Sequence, residues 1–222
     1  MLSKAPPTHH YQPPTHEGLD VVYRDRDLLV VNKPAGLLSV PGRGPERQDC
    51  LALRVRETCP DARIVHRLDM ETSGLMLFAR TALAQRGLSR QFERREVRKE
   101  YVAVVQGRMP QVAGTVDLPL MRDWPNRPRQ KVDHVQGKAS LTHYRRLGEC
   151  GDAPGTRLLL TPVTGRTHQL RIHLNYIGYP IVGDRLYGDG KDAERLLLHA
   201  SALSFSHPAE GRLLHLESRP GF

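Results

Sequence analysis

Apolar residues in this chain come in short runs that Gly, Pro or charged residues cut off, and that punctuation limits the folds open to it. LDVVY and LLVVNK, between Leu19 and Lys33, read as two strands about an Arg-Asp-Arg-Asp turn. LMLFAR, residues 75–80, reads as a buried strand, and the run from Arg98 to Val105 as another. TVDLPL, residues 115–120, then Lys138 to Leu147 and Thr156 to Val163 continue the series, the last two joined by a Gly/Asp/Pro turn. LLLHASALSFSHP supplies closing strands and GRLLHLESRP an edge strand. Helical periodicity is confined to a few stretches. Asp49 is read as the cap of a helix over residues 50–58 that Pro60 ends, and Thr81 as the cap of one running to about Glu96. Thr167 is read as the cap of a helix that turns Leu170, Leu174 and Ile177 inward.

The chain has 222 residues, enough to bury a core, and shows no internal repeat, so one domain over residues 18–222 is expected. Residues 1–17 mix prolines, histidines and polar residues without apolar periodicity and read as a flexible or draped tail. His9, His10 and His16 in it are read as tail residues rather than metal ligands. A formal charge of +9 suits a polyanionic partner without separating RNA from DNA or an acidic membrane. No apolar run approaches the ~20 residues of a membrane span, and no signal-peptide core is visible, so a cytoplasmic protein is expected. Cys50, Cys59 and Cys150 have neither disulfide nor zinc spacing and read as reduced thiols.

Between two apolar runs lies a polar stretch, Ile64 to Leu75, of the kind that more often carries function than packing. An Arg-x-Asp pair in a loop is by itself an ordinary solvated ion pair. The contiguous run HRLDMETSGL, residues 66–75, however, resembles the signature of the RluA-type pseudouridine synthases. That resemblance implies that Asp69 is the catalytic carboxylate and that Arg67 fills the gap left when a uridine is flipped from its stack, a step that otherwise costs a few kcal/mol. His66 and Thr72 are expected to bind substrate beside them, and Gly74 to permit a tight turn. Asp-x-Glu-Thr also faintly resembles the nucleophile motif of haloacid-dehalogenase-type phosphatases, but there the aspartate ends a continuous apolar strand, which His66 and Arg67 interrupt.

Further segments extend the resemblance. Lys33-Pro34-Ala35-Gly36-Leu37 matches a family element that is otherwise an ordinary Pro/Gly turn. Lys99-Glu100-Tyr101-Val102-Ala103 places Tyr101 where the family has its active-site tyrosine, beside the uracil and able to accept the C5 proton; the residue-level alternative is a core tyrosine on a strand. TGRTHQLRIH, residues 164–173, implies that Arg166 pairs with Asp69 and that Leu170 contacts substrate. His168 and His173 are expected to hydrogen-bond within the fold rather than hold zinc. On the helix after Thr81, Ala84, Leu88 and Phe92 form an apolar face while Arg86, Arg90 and Arg94 form a row that is either a solvated face or a phosphate track.

MRDWPNRPRQKV, residues 121–132, mixes cations with the only tryptophan and suits a loop laid along RNA. Trp124, Arg127, Arg129 and Lys131 are therefore expected to bind substrate, Trp124 either stacking on a base or anchoring the loop. The string is similar to that of the short subgroup of the family. Gly183-Asp184 reads as a turn in which Asp184 supports neighbouring arginines.

From about Leu19 onward the resemblance implies an α+β fold, a mixed, mostly antiparallel sheet flanked by helices with a central RNA-binding cleft, in agreement with the many short strands. It implies an isomerase converting uridine to pseudouridine in 23S rRNA and in tRNA anticodon stem-loops, with no metal or other cofactor. No S4-type module, membrane contact or obligate protein partner is expected, and the working unit is expected to be a monomer. Whether Asp69 adds to the base, attacks the sugar or assists ribose proton removal stays open. The alternatives are a non-catalytic RNA-binding protein of the same fold and an aspartate-nucleophile phosphatase.

Overall fold

A computed structural model describes residues 11–150, 155–190 and 192–222. In chain order the elements are β1 (Val21–Arg24), β2 (Leu28–Lys33), α1 (Leu51–Thr58), β3 (Arg63–Ile64), β4 (Ser73–Ala79), α2 (Ala82–Glu93), β5 (Arg98–Gln106), β6 (Ala113–Asp117), β7 (Leu120–Arg122), β8 (Gln130–Val132), β9 (Leu141–Cys150), β10 (Gly155–Pro162), α3 (Gln169–Tyr176), β11 (Leu198–Ser206) and β12 (Leu213–Glu217). One ten-stranded sheet runs β1-β2-β4-β11-β5-β10-β9-β6, with β12 on β11 and β3 on β4. Among the described residues only the β4–β11 pairing is parallel. The fold is thus the expected α+β arrangement. No helix of the described residues is long and apolar enough to cross a membrane.

Strand periodicity decides what covers each face. On β2 and β4, Leu29, Val31, Met76 and Phe78 pack with Leu51 and Val55 of α1, whereas Leu28, Val30, Leu75 and Leu77 pack with Ala84 and Leu88 of α2. Consecutive residues point to opposite faces, both are covered, and that is why LMLFAR reads as an unbroken apolar run. A third cluster joins Ala103, Val105, Leu158 and Leu160 of β5 and β10 to Leu170 and Leu174 of α3.

Several boundaries differ from expectation for identifiable reasons. Asp49 does not cap α1: its carboxylate is taken by Arg54, at 2.8 and 2.7 Å, and Cys50 stands at the cap without a side-chain bond. Thr81 does cap α2, accepting the Ala84 N–H, but the helix stops at Glu93 because Arg95 turns to φ 62. Thr167 does not cap α3; His168, in the left-handed region at φ 55, precedes its first turn. TVDLPL is split, β6 ending and β7 beginning on either side of Pro119, which has no N–H for a ladder. The segment expected as a loop after it folds back as β7–β8, a separate two-stranded sheet. Residues 11–17 form no strand or helix but lie against the domain, Tyr11 donating its hydroxyl to the Asp49 carbonyl. The earlier part of the expected tail, with His9 and His10, and the turn at residues 151–154 lie outside the described residues.

Candidate active site

Asp69 sits in the loop between β3 and β4, and both its neighbours are tied down. The buried Lys33 donates from Nζ to the carbonyls of Pro34, Leu37 and Met70, at 2.7–2.8 Å. Ser39 donates to the Leu68 carbonyl at 2.7 Å and accepts the Leu68 N–H at 3.1 Å. The upstream Lys-Pro-x-Gly segment is therefore a clamp on the signature loop, not a bare turn. Burial brings the Lys33 ammonium down to about 7, and the charges of Glu71 and Asp69 oppose that fall. Within the loop, the Thr72 N–H closes onto the Asp69 carbonyl at 3.2 Å.

Register brings Tyr101 to the same place. Ala200 of β11 lies opposite Gly74 of β4 on one side and Tyr101 of β5 on the other, so one residue spaces the signature loop from the tyrosine strand. Gly74 has φ 111, and a Cβ there would lie 2.3 Å from the Ala200 carbonyl oxygen. Its role is this close strand approach rather than the tight turn expected of it. A cleft of about 540 Å³ opens where the loop, the C-terminal end of α2, β5 and the β10–α3 connection meet. That volume is in the range of small-ligand sites.

Around this cleft stand His66, Arg67, Asp69, Thr72, Tyr101, Arg166 and Leu170. Arg67 is exposed at its mouth, while Thr72 and Leu170 are buried in its wall. His66 faces inward as a structural acceptor: its Nε2 takes the Leu77 N–H at 2.9 Å and its ring stacks on Phe92 with centroids 4.8 Å apart. Burial, with Lys99 adding to it, drops His66 to about 3, so the ring is neutral. Burial and then the Asp69 charge push the Tyr101 phenol well above its usual value, so it stays protonated. That favours stacking over proton acceptance.

Arg166 lies on the exposed rim and donates from Nε to the Ala139 carbonyl at 3.3 Å. The guanidinium that feels Asp69 from the cleft interior is Arg171 of the same TGRTHQLRIH segment. Burial alone would lower Arg171, but the hydrogen bonds and charge of Asp184 outweigh it, and Asp69 adds to the rise. Asp184, expected to support arginines, grips it on both oxygens. Lys99, also on the cleft wall, donates to the Thr164 carbonyl at 3.3 Å and is lowered to about 8 by burial and then by Arg95. A three-residue step from the inward Leu174 marks Arg171 as inward-facing, but nothing local sets it above Arg166.

Trp124, Arg127, Arg129 and Lys131 are not in the cleft wall but on the β7–β8 hairpin. Trp124 is 56% exposed with the Arg122 and Arg127 guanidiniums 4.8 and 5.0 Å from its ring centre, which rules out a core anchor. Lys131 pairs with Asp133 at 3.1 Å. Arg86 and Arg90 are exposed on α2 and Arg94 is exposed just past its end.

A carboxylate on the loop before β4, a partly buried tyrosine on β5 and a buried arginine on α3 meet at one cleft ringed by cations, an arrangement suited to an enzyme acting on an RNA-like polyanion. The family model described as RNA pseudouridylate synthase matches residues 27–176. The chain belongs to that family, and it is an RNA pseudouridine synthase, an isomerase. It is 46% identical over 216 residues to the dual-specificity RNA pseudouridine synthase RluA of Escherichia coli (strain K12), covering 96% of this chain and 98% of that one. The protein of the same name from Yersinia pestis is 47% identical over 205 residues, covering 91% and 99%. Among solved structures, human RNA Pseudouridylate Synthase Domain Containing 1 superposes with a TM-score of 0.77 at 32% identity, covering 95% of this chain and 87% of that one. The phosphatase alternative falls with this membership.

Proposed function

We propose that residues 18–222 act as one catalytic unit on stem-loops of two RNA classes, a uridine of 23S rRNA and one in the anticodon stem-loop of tRNA, working in the cytoplasm as a monomer without a cofactor. Similarity along more than nine-tenths of the chain to relatives named dual-specificity supports the pair of substrates. The observation that carries the site is the convergence of Asp69, Tyr101 and Arg171 on one cleft. Cations on the β7–β8 hairpin and α2 hold the phosphates. Arg67, exposed at the mouth, takes the place of the flipped uridine, and Tyr101 stacks on the uracil. Asp69, its loop clamped by Lys33 and Ser39, drives cleavage of the N1 bond between ribose and base, after which the ring turns, rejoins the ribose through C5, and gives up the C5 proton while N1 takes one up. Arg171 supplies the interior positive charge opposite the carboxylate, and Arg166 contacts RNA at the rim.

An Asp69→Asn enzyme should bind RNA as wild type does and release no tritium from C5-labelled uridine; substantial release removes Asp69 from the mechanism. Mapping pseudouridine in rRNA and tRNA from a deletion strain tests the substrates, and loss from one class alone refutes dual action.

A further inference from the structure

The β7–β8 hairpin belongs to a sheet of its own, so something must fix it relative to the cleft. The Gln130 N–H, at the start of β8, does not join the hairpin ladder; it donates to the Tyr187 hydroxyl at 2.8 Å. Tyr187 Oη is also 2.8 Å from His168 Nδ1. Arg129 donates to the Leu186 carbonyl, next in the chain to Tyr187, and its guanidinium is 5.6 Å from the Tyr187 ring centre. The Arg171 guanidinium is 5.2 Å from the same centre, and Asp184 Oδ1, which binds Arg171, also accepts the Tyr187 N–H.

Proton accounting orients this junction. A backbone N–H can only donate, so Tyr187 Oη accepts from Gln130, while its contact with His168 Nδ1 runs in the sense that the imidazole tautomer sets. Burial holds His168 below the usual imidazole range, consistent with a neutral ring. Nε2 pairs with no described residue, and His168 lines the cleft. One hydroxyl thus connects the hairpin backbone to the cleft wall.

We propose that Tyr187 is a positioning residue: its hydroxyl transmits the seating of RNA on the β7–β8 hairpin to the wall of the uridine cleft at His168. This rests on the reading of the hairpin as an RNA contact. Removing the hydroxyl leaves the hairpin cations able to hold RNA but lets the cleft wall lose its register with them. The loss falls on the chemical step rather than on binding.

The test is a double-mutant cycle with Tyr187→Phe and Trp124→Ala on a stem-loop the wild-type enzyme modifies, labelled with tritium at uridine C5. Dissociation constant, single-turnover rate at saturating enzyme and melting temperature are measured for all four proteins. For Tyr187→Phe the dissociation constant should stay within about twofold, the melting temperature should fall by only about 2–4 °C, and the rate of the folded enzyme should fall roughly five- to tenfold. Trp124→Ala should slow the wild-type enzyme but add no further slowing to Tyr187→Phe. An unchanged rate in Tyr187→Phe, losses that multiply in the double variant, or a drop in melting temperature that accounts for the slower rate would each overturn the coupling. Should Trp124→Ala alter neither binding nor rate in the wild type, the hairpin reading fails and this inference fails with it.

Discussion

Both oxygens of Asp184 hold the Arg171 guanidinium, Oδ2 taking Nε at 2.8 Å and Oδ1 taking Nη2 at 2.7 Å, with 4% of the arginine and none of the aspartate side chain exposed. A buried pair is costly to break from one side, because the remaining charge keeps its desolvation penalty without its partner. Asp184→Ala should therefore lose about 3–5 kcal/mol of unfolding free energy. Asp184→Asn, which retains an acceptor for the Leu186 and Tyr187 N–H groups, should lose less. Urea titrations that place the two variants together would show the charge to be unimportant.

The two arginines of the TGRTHQLRIH segment should separate by readout. Arg166→Ala removes an exposed cation, so RNA binding should weaken and the slope of log affinity against log salt should flatten by about one, while the saturated rate holds. Arg171→Lys keeps the charge but loses the planar fork, and its saturated rate should collapse with little change in affinity. The opposite pattern would return the interior role to Arg166.

What the sequence disclosed follows from how local each signal is. Strand runs, the Thr81 cap and the signature loop are contiguous patterns and could be read directly. The distinction between Arg166 and Arg171 could not, because it depends on Asp184 folding back from a later turn. Lys33 was visible only as part of a Pro/Gly segment, since its three carbonyl acceptors lie on residues that converge only after folding. Asp49 has the local pattern of a cap, and nothing local announces that Arg54 claims it. The partners of Trp124 are guanidiniums rather than core side chains, and they reach its ring only once the hairpin has folded back.

Acid should destabilise the fold partly through His66. Its value falls from 6.5 unfolded to about 3 folded, so between those values the unfolded chain binds more protons and stability drops as pH falls through the window. At pH 5 the loss from this residue is about 2 kcal/mol. His66→Gln keeps an acceptor for the Leu77 N–H and cannot titrate, so its stability should fall less than wild type between pH 7 and pH 5 by about that amount. The other histidines held low by burial, His168, His173 and His199, act equally in both proteins and cancel. Parallel stability curves would remove His66 as a source of acid sensitivity.

Gly74 and Gly211 give a matched contrast for the seam that aligns the site. Both have left-handed backbones, at φ 111 and φ 73, but a Cβ on Gly211 meets nothing within 4 Å while one on Gly74 meets the Ala200 oxygen at 2.3 Å and nitrogen at 2.5 Å. Gly211→Ala should show only backbone strain, about 1 kcal/mol, with the saturated rate intact. Gly74→Ala must part β4 from β11 at the residue that also faces Tyr101, so the signature loop and the tyrosine lose their spacing together. It should cost more than about 2 kcal/mol, strain and displaced strand pairing combined, and tritium release should fall even under conditions where the variant remains folded. A Gly74→Ala enzyme with wild-type turnover would show that the Asp69 loop is positioned by the Lys33 and Ser39 clamp alone.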